Sequence, residues 1–332
     1  MEKSLKMKTR KYPMVSVVTI TYNGLSLLKD CLKSVYAMDY PRDRFEVVVV
    51  DNDSSDGTVE FVRRKYPTAK IVQNKANLGY VGMNNAMPVC KGKYIYVINN
   101  DIMVNRECLK RLVETLENDD KIGMSIHTLI NHYNRKLVSG GTWISRSMYS
   151  GHYPKEDDTI VKEIPYMGGG LIRREVISKF GYIFDPDYFL YGEDVELGLR
   201  IKLMGMKCVV DSRAINYHKH AMTAKKYVGS QKSTYLMERN SIITFLKIFS
   251  AKTLILLFPY FIGVRLMVML KDVVSLRFSL FWARICAWSW VVANVPLILR
   301  KRKALQRLRK TDDKHILQMF TEKYLLKKPF LV

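Results

Sequence analysis

Cysteine is sparse in this chain. Its five residues, Cys31, Cys90, Cys108, Cys208 and Cys286, are odd in number, widely spaced and form no CxxC pair. That pattern argues against a disulfide framework and a zinc site, and fits a reducing compartment. Acid is also in short supply, with 31 Asp and Glu against 54 Lys and Arg, a net charge of +23. The stretch Met1 to Pro13 is basic but lacks the apolar core of a signal peptide, so the main domain is expected in the cytosol. The positive excess is local. From Lys247 to Val332 there are 17 basic and 4 acidic residues, which supply 13 of the 23 charges, interleaved with apolar runs such as Leu254 to Phe258. A nucleic-acid groove has no use for such runs. An anionic membrane surface does.

What is present is an alternation of apolar β-branched runs with helical stretches. The chain has 332 residues, 48% of them hydrophobic, enough for one large α/β domain and an appendage. Val15 to Thr21 reads as a strand, Leu25 to Ala37 as an amphipathic helix, Phe45 to Val50 as a strand, and Ser55-Asp56-Gly57 as the opening of a helix through Lys65. Lys70 to Val72 is a short strand, Gly82 to Val89 a helix, and Tyr94 to Ile98 a buried strand. This order predicts a mostly parallel sheet covered on both faces. Three strands then end in polar clusters at one edge: Thr21-Tyr22-Asn23, Asp51-Asn52-Asp53 and Asn99-Asn100-Asp101. Taken singly, each also suits a capping turn. Together they describe a crevice in which amides and carboxylates bind a nucleotide and its metal-bound phosphates.

These clusters, with Val48 to Thr58, Asn77-Leu78-Gly79-Tyr80, Gly82, Asn84-Asn85 and Lys91-Gly92-Lys93-Tyr94, resemble the family 2 glycosyltransferases, and within them the rhamnosyltransferase-like branch. The resemblance implies a GT-A fold, an α/β Rossmann-like mixed and mostly parallel sheet. It implies a nucleotide-diphosphate-sugar donor bound by Thr21, Tyr22, Asn23, Asp51, Asp53, Asn77, Gly79, Asn85, Asn99 and Asn100. It also implies a DxD-type motif for divalent Mg or Mn, whose last residue is Asp101. The first position of that motif is Asn99, so only one of the two usual carboxylates is present.

Further on, Leu109 to Glu117 reads as a helix, Ile122 to His127 as a strand and Asn131 to Trp143 as a hairpin. His127, His132 and His152 lack metal-ligand spacing and read as structural. Gly168-Gly169-Gly170 leads into a helix from Glu175 to Phe180, without the GxxxxGK[ST] pattern of a phosphate loop. Asp185 to Gly192 is followed by Glu193-Asp194 in the first turn of a helix, where the dipole alone favours acids. Inverting sugar transfer, however, needs a carboxylate to take the acceptor's proton. The pair matches the family's ED motif, which makes Asp194 the general base and Glu193 its acidic neighbour. Adjacent acids raise the proton affinity of one of them. Arg200 is placed to pair with Glu196 at i, i+4. After a strand at Cys208 to Val210, the resemblance offers His218 as a second metal ligand, with His220 in reserve. Glu238-Arg239-Asn240 resembles an Arg-Asn pair of the family. Tyr22-Asn23-Gly24-Leu25 is not the Gly-rich, Arg-containing loop of a sugar nucleotidyltransferase.

The expected organisation is a basic tail at 1–13, a catalytic domain at 14–245 split at 120/121 into nucleotide-sugar and acceptor halves, and a helical membrane-associating region at 246–332. Leu254 to Leu270 holds Arg265 and Pro259; Phe278 to Leu299 holds Arg284, Asn294 and Pro296. A central Arg costs roughly 2.5 to 3.5 kcal/mol on insertion, so helices lying in the interface with Arg265 and Arg284 turned to headgroups are expected. A spanning hairpin and burial against the catalytic domain are the alternatives. The expectation is an inverting, metal-dependent glycosyltransferase at the cytoplasmic face of the membrane, peripheral or monotopic. It would move a sugar, rhamnose among the candidates, to a lipid-linked or cell-surface glycan acceptor, with no nucleic-acid partner. A non-catalytic nucleotide-sugar-binding protein of the same fold is the alternative.

Overall fold

A computed structural model describes residues 12–152, 159–166, 168–219 and 223–323. The first half alternates as read: β1 (Val15–Thr21), α1 (Leu25–Val35), β2 (Phe45–Asp51), α2 (Thr58–Lys65), β3 (Lys70–Gln73) and β4 (Tyr94–Asn99). Then come β5 (Ile102–Val104), α3 (Cys108–Asn118), β6 (Ile122–Asn131), β7 (Leu137–Ser139), β8 (Thr142–Ile144), β9 (Ser150–His152), β10 (Val161–Glu163) and β11 (Gly170–Arg173). The chain continues through α4 (Arg174–Phe180), α5 (Glu193–Leu203), β12 (Lys207–His218), α6 (Thr223–Ile248), α7 (Ala251–Val274), α8 (Phe278–Ala293), α9 (Val295–Gln306) and α10 (Asp313–Leu317).

The main sheet runs β3-β2-β1-β4-β11-β6-β12-β10. β1 to β4 are mutually parallel, β11 lies antiparallel between β4 and β6, and β12 runs parallel to β6. The sheet is thus mixed and mostly parallel, as a chain with βα alternation followed by hairpins should give. The middle strands are buried on both faces: Tyr94 to Ile98 and Val47 to Val50 are at most 2% exposed. Register carries the polar ends to one edge. Thr21 lies opposite Asp51, and Ile20 opposite Asn99.

Three local expectations change. The Gly82–Val89 helix is a 3-10 segment, Gly79–Ala86. Its asparagines bond outside the segment: Asn84 Nδ2 donates to the Phe184 carbonyl at 2.7 Å and Asn85 Nδ2 to Asn74 Oδ1 at 2.7 Å. Such side chains compete with regular helix. Cys208–Val210 and the segment at Ile215 form one strand, β12, with a pairing irregularity between Asp211 and Ile215; His220 lies outside the described residues. The second apolar segment is broken at Asn294, where α8 and α9 bend by 69°.

The largest correction concerns Arg265 and Arg284. They do not turn to headgroups but inward, against α6, where both are nearly fully buried. Glu238 Oε1 meets Arg265 Nη1 and Oε2 meets Arg284 Nη1, each at 2.7 Å, and Arg284 Nε reaches Asp272 Oδ2 at 2.8 Å. Charges with excellent partners tolerate a dry seam that would expel a lone guanidinium. Phe245 stacks on Phe261 at 4.1 Å beside them. The outward face of α7 and α8 is uncovered and apolar, with Leu256, Leu266, Met267, Leu270 and Trp282 all exposed. Among the described residues, α7 is the one unbroken helix long and apolar enough to cross a membrane, with 22% of that stretch buried.

Removing one member of the seam should be costly. Arg265→Met is expected to lower stability by about 3 kcal/mol in urea denaturation, and by clearly less in a Glu238→Gln background, because the two residues share one network. Equal costs in both backgrounds would contradict the pairing.

Candidate active site

The strand ends build the site from the edge inward. Asn23, in the left-handed region at φ 47°, accepts the Ser55 N–H on its Oδ1 at 2.8 Å. Asp51 Oδ2 accepts the Ser54 N–H at 3.0 Å, while its Oδ1 is buried without a partner among the described residues. Thr21 Oγ1 accepts Asn100 Nδ2 at 3.1 Å, Tyr22 is half-buried beside it, and Asp53 is exposed. Asn77, Gly79 and Asn85 belong to a different arrangement, an amide ladder. Asn85 donates to Asn74, Asn74 to Asn52 at 2.7 Å, and Asn52 to Asn77 Oδ1 at 3.2 Å and the Gly79 carbonyl at 3.0 Å. Gly79 sits at φ +62° and an added Cβ would fall 1.9 Å from the Phe189 oxygen, so no side chain fits there. This contact docks the 3-10 segment onto the loop before α5.

Asp101 and His218 are brought together by strand pairing. β5 begins at the residue after Asp101 and sets Ile102 opposite His218. His218 Nε2 lies 3.1 Å from Asp101 Oδ2, and the Lys219 N–H donates to the Asp101 carbonyl at 3.1 Å. Asp101 is 7% exposed and its Oδ1 has no partner among the described residues. One carboxylate and one imidazole suit a divalent ion that takes its other ligands from phosphate and water. The described residues contain no group of three or more His, Cys, Asp or Glu able to hold an ion by themselves. Asn99 lines the adjoining cavity.

Glu193 and Asp194 are presented by an unusual turn. Tyr191 (φ 67°) and Gly192 (φ 84°) are both left-handed and throw the start of α5 into the cavity. The turn is held by α6: Asn240 Nδ2 donates to the carbonyls of Leu190 at 3.1 Å and Tyr191 at 2.6 Å, and Arg239 Nη2 to that of Asp187 at 2.7 Å. The Arg239-Asn240 pair is thereby seen to latch the loop. Behind it, Glu196 and Arg200 form the expected i, i+4 pair at 3.1 Å, fully buried, with Lys247 joining Glu196 at 3.1 Å. Glu193 is 6% exposed with Oε2 unpartnered among the described residues, and Asp194 accepts the Val195 N–H at 2.8 Å. Burial, then the neighbouring Asp194, holds Glu193 well above the usual carboxylate range. Burial raises Asp194 as well, opposed by the Val195 N–H. The pair therefore favours one shared proton near neutral pH, which leaves a carboxylate able to accept a proton beside a carboxylic acid able to donate a hydrogen bond.

A cavity of about 590 Å³ brings some of these parts together: Asn99, Tyr80, His218, Glu193, Asp194, Glu238 and Arg284 all line it, while Tyr22, Asn77, Gly79, Asn85, Asn100 and Asp101 do not. Tyr80 was not singled out from the sequence, although it closes the Asn77-Leu78-Gly79-Tyr80 run. Burial and the charges of Asp101, Glu193 and Asp194 raise its hydroxyl. His152, read as structural, stands on the wall with Nδ1 2.8 Å from Ser139 Oγ. His127 lies on β6, buried and edge-on to Tyr96, and burial, then His218, push it down to about 3, so it is neutral. His132 and the nucleotide-side residues Thr21, Asn23, Asp51 and Asp53 are not on the wall. Gly168 leaves room for Asp194, since a Cβ there would lie 3.3 Å from Oδ2.

The family model for glycosyl transferase family 2 matches residues 16–181. Over 192 residues the chain is 24% identical to the glycosyltransferase AglE of Haloferax volcanii, covering 56% of this chain and 60% of AglE. Over 260 residues it is 25% identical to the N-acetylglucosaminyl-diphospho-decaprenol L-rhamnosyltransferase of Mycobacterium tuberculosis, covering 67% and 83%. The chain thus spans less than two thirds of AglE's length. Its fold is similar to the crystal structure of GalNAc-T7 with UDP, GalNAc and Mn²⁺, with a TM-score of 0.61 at 20% identity, covering 76% of this chain and 50% of that one. Half the chain matched to one family, on a sheet that shares its fold with a solved glycosyltransferase structure, settles the identification: this protein belongs to glycosyl transferase family 2 and has the GT-A fold.

Proposed function

We propose that this glycosyltransferase acts with inversion, takes its sugar from a nucleotide diphosphate held at the strand ends, and works at the cytoplasmic face of a membrane. The observation that carries the reading is the 3.1 Å contact of Asp101 with His218, which shares the wall of one cavity with Glu193 and Asp194. Asp194 takes the proton of the acceptor hydroxyl as its oxygen attacks the anomeric carbon. The bond from that carbon to the diphosphate oxygen breaks, and the electron pair leaves with the diphosphate. Glu193, holding a proton, is suited to donate a hydrogen bond from the buried Oε2 to a substrate oxygen. Asp101 and His218 would hold Mg²⁺ or Mn²⁺, which when bound supplies charge stabilisation to the diphosphate. The acceptor is a lipid-linked or cell-surface glycan precursor, and rhamnose is a candidate sugar through the rhamnosyltransferase-like motifs.

Membrane attachment is read from the uncovered face of α7 and α8. Its apolar residues are flanked by exposed Lys252, Arg277 and Arg300, the composition of a helix pair lying in an anionic interface.

In an assay of turnover across UDP-, GDP- and dTDP-sugars, Asp194→Asn should lower transfer by about 10²-fold or more while nucleotide diphosphate still raises the melting temperature. Asp101→Ala should lower both transfer and Mn²⁺-dependent stabilisation. Transfer that survives both changes would overturn the assignment.

Glu193 makes a pH prediction. Because its folded proton affinity is raised, the native state binds more protons than the unfolded state above the ordinary value of 4.5, and stability falls as pH rises. Glu193→Gln removes that loss. The variant should match the wild type in thermal stability near pH 4.5 and exceed it increasingly toward pH 8; a constant difference across this range would contradict the raised proton affinity.

For the membrane, flotation with vesicles containing about one-third anionic lipid should carry the protein upward, with release by alkaline carbonate and weakening by Leu256→Ser with Trp282→Ser. Resistance to carbonate would instead support a spanning helix.

A further inference from the structure

The cavity holds about 590 Å³, and part of its wall is built by the C-terminal helices. None of the nucleotide-side residues Thr21, Asn23, Asp51 or Asp53 lines it, so the base and ribose lie elsewhere. Beyond Asn99 and His218, its volume is available to the sugar in transit and to whatever receives it. Past Glu193 and Asp194 the wall passes to α6 and α8, through Thr234, Met237, Glu238, Ser241 and Arg284.

Two features of this part of the wall point to a ligand. Thr234 is 1% exposed, yet its Oγ1 has no hydrogen-bond partner among the described residues. A hydroxyl left so inside a protein costs free energy unless a ligand satisfies it. Glu238 and Arg284 meet at 2.7 Å and are fixed from outside the cavity, Glu238 by Arg265 and by Trp288 Nε1 at 3.1 Å, Arg284 by Asp272. They form a rigid polar stretch of the wall, with both Glu238 oxygens held by Arg265, Trp288 and Arg284. Tyr149 and Tyr191 supply aromatic surface on the same wall. A rigid polar stretch, an unsatisfied hydroxyl and aromatic rings match a molecule with several hydroxyls and apolar C–H faces.

We infer that the end of the cavity closed by α6 and α8 is the acceptor subsite, that it takes a saccharide unit, and that the C-terminal helices complete the active site besides offering their outer face to a membrane. The inference rests on the proposed transfer reaction and names the residues of the C-terminal helices that receive the acceptor. Thr234, Glu238 and Arg284 then bind the acceptor, and the chemistry stays with Glu193 and Asp194.

The test uses the full chain with Mn²⁺ and whichever of UDP, GDP or dTDP raises its melting temperature most. The methyl glycosides of glucose, galactose, mannose, rhamnose and N-acetylglucosamine are then titrated by saturation-transfer NMR. At least one should bind. Thr234→Val, which removes a hydroxyl with no hydrogen-bond partner among the described residues, should keep the melting temperature and weaken that glycoside about three- to tenfold. Met237→Trp, which fills the same end, should abolish its binding, and both variants should bind nucleotide as the wild type does. Nucleotide binding with no glycoside bound, or glycoside binding unchanged in both variants, overturns the acceptor subsite and leaves the donor reading standing. Failure of all three nucleotides to bind overturns the donor reading and the subsite with it.

Discussion

The contact between Asp101 and His218 depends on one strand pairing, and much of the site depends on that contact. β5 is three residues long and pairs with the end of β12, so two residues 117 positions apart in the chain become neighbours at 3.1 Å. The pairing places the polar end of β4 beside the acceptor half of the sheet. Without it, Asp101 would be one more acidic turn residue. With it, the Asp101 carboxylate has an imidazole beside it and an Oδ1 with no partner among the described residues, the two features on which the proposed metal site rests.

Glu193 and Asp194, the proposed catalytic pair, are positioned from α6. Two left-handed residues, Tyr191 and Gly192, are tolerated because Asn240 ties the carbonyls of Leu190 and Tyr191 to α6. α6 also carries Glu238, the hub of the seam to α7 and α8. One helix therefore orients the start of α5 and anchors the C-terminal helices. The C-terminal region has two faces of different chemistry: an ionic and aromatic face turned inward, and an apolar face left uncovered.

Much of the fold was legible because its strands are β-branched runs bounded by polar turns, a local signal that needs no knowledge of partners. The three polar strand ends and Glu193-Asp194 were legible for the same reason, as short contiguous clusters. What could not be read were relations across the chain. The partner of Arg265 is Glu238, and that of Arg284 is Glu238 together with Asp272. A hydropathy profile sees only two charges in apolar helices and assigns them to solvent or headgroups. The 3-10 segment escaped because its asparagines are satisfied by Asn74 and Phe184, far from them in sequence. Tyr80 escaped because an aromatic after a glycine turn gives no sign of which cavity it enters.

The central claim is that Asp101 and His218 share one divalent ion with the donor's diphosphate. Pulsed electron paramagnetic resonance of Mn²⁺ bound to the protein with a nucleotide diphosphate tests it directly. The account predicts a ¹⁴N coupling from one imidazole together with ³¹P couplings from the diphosphate, and loss of the nitrogen signal alone in His218→Gln. Phosphorus couplings with no imidazole nitrogen in the wild-type protein would contradict it.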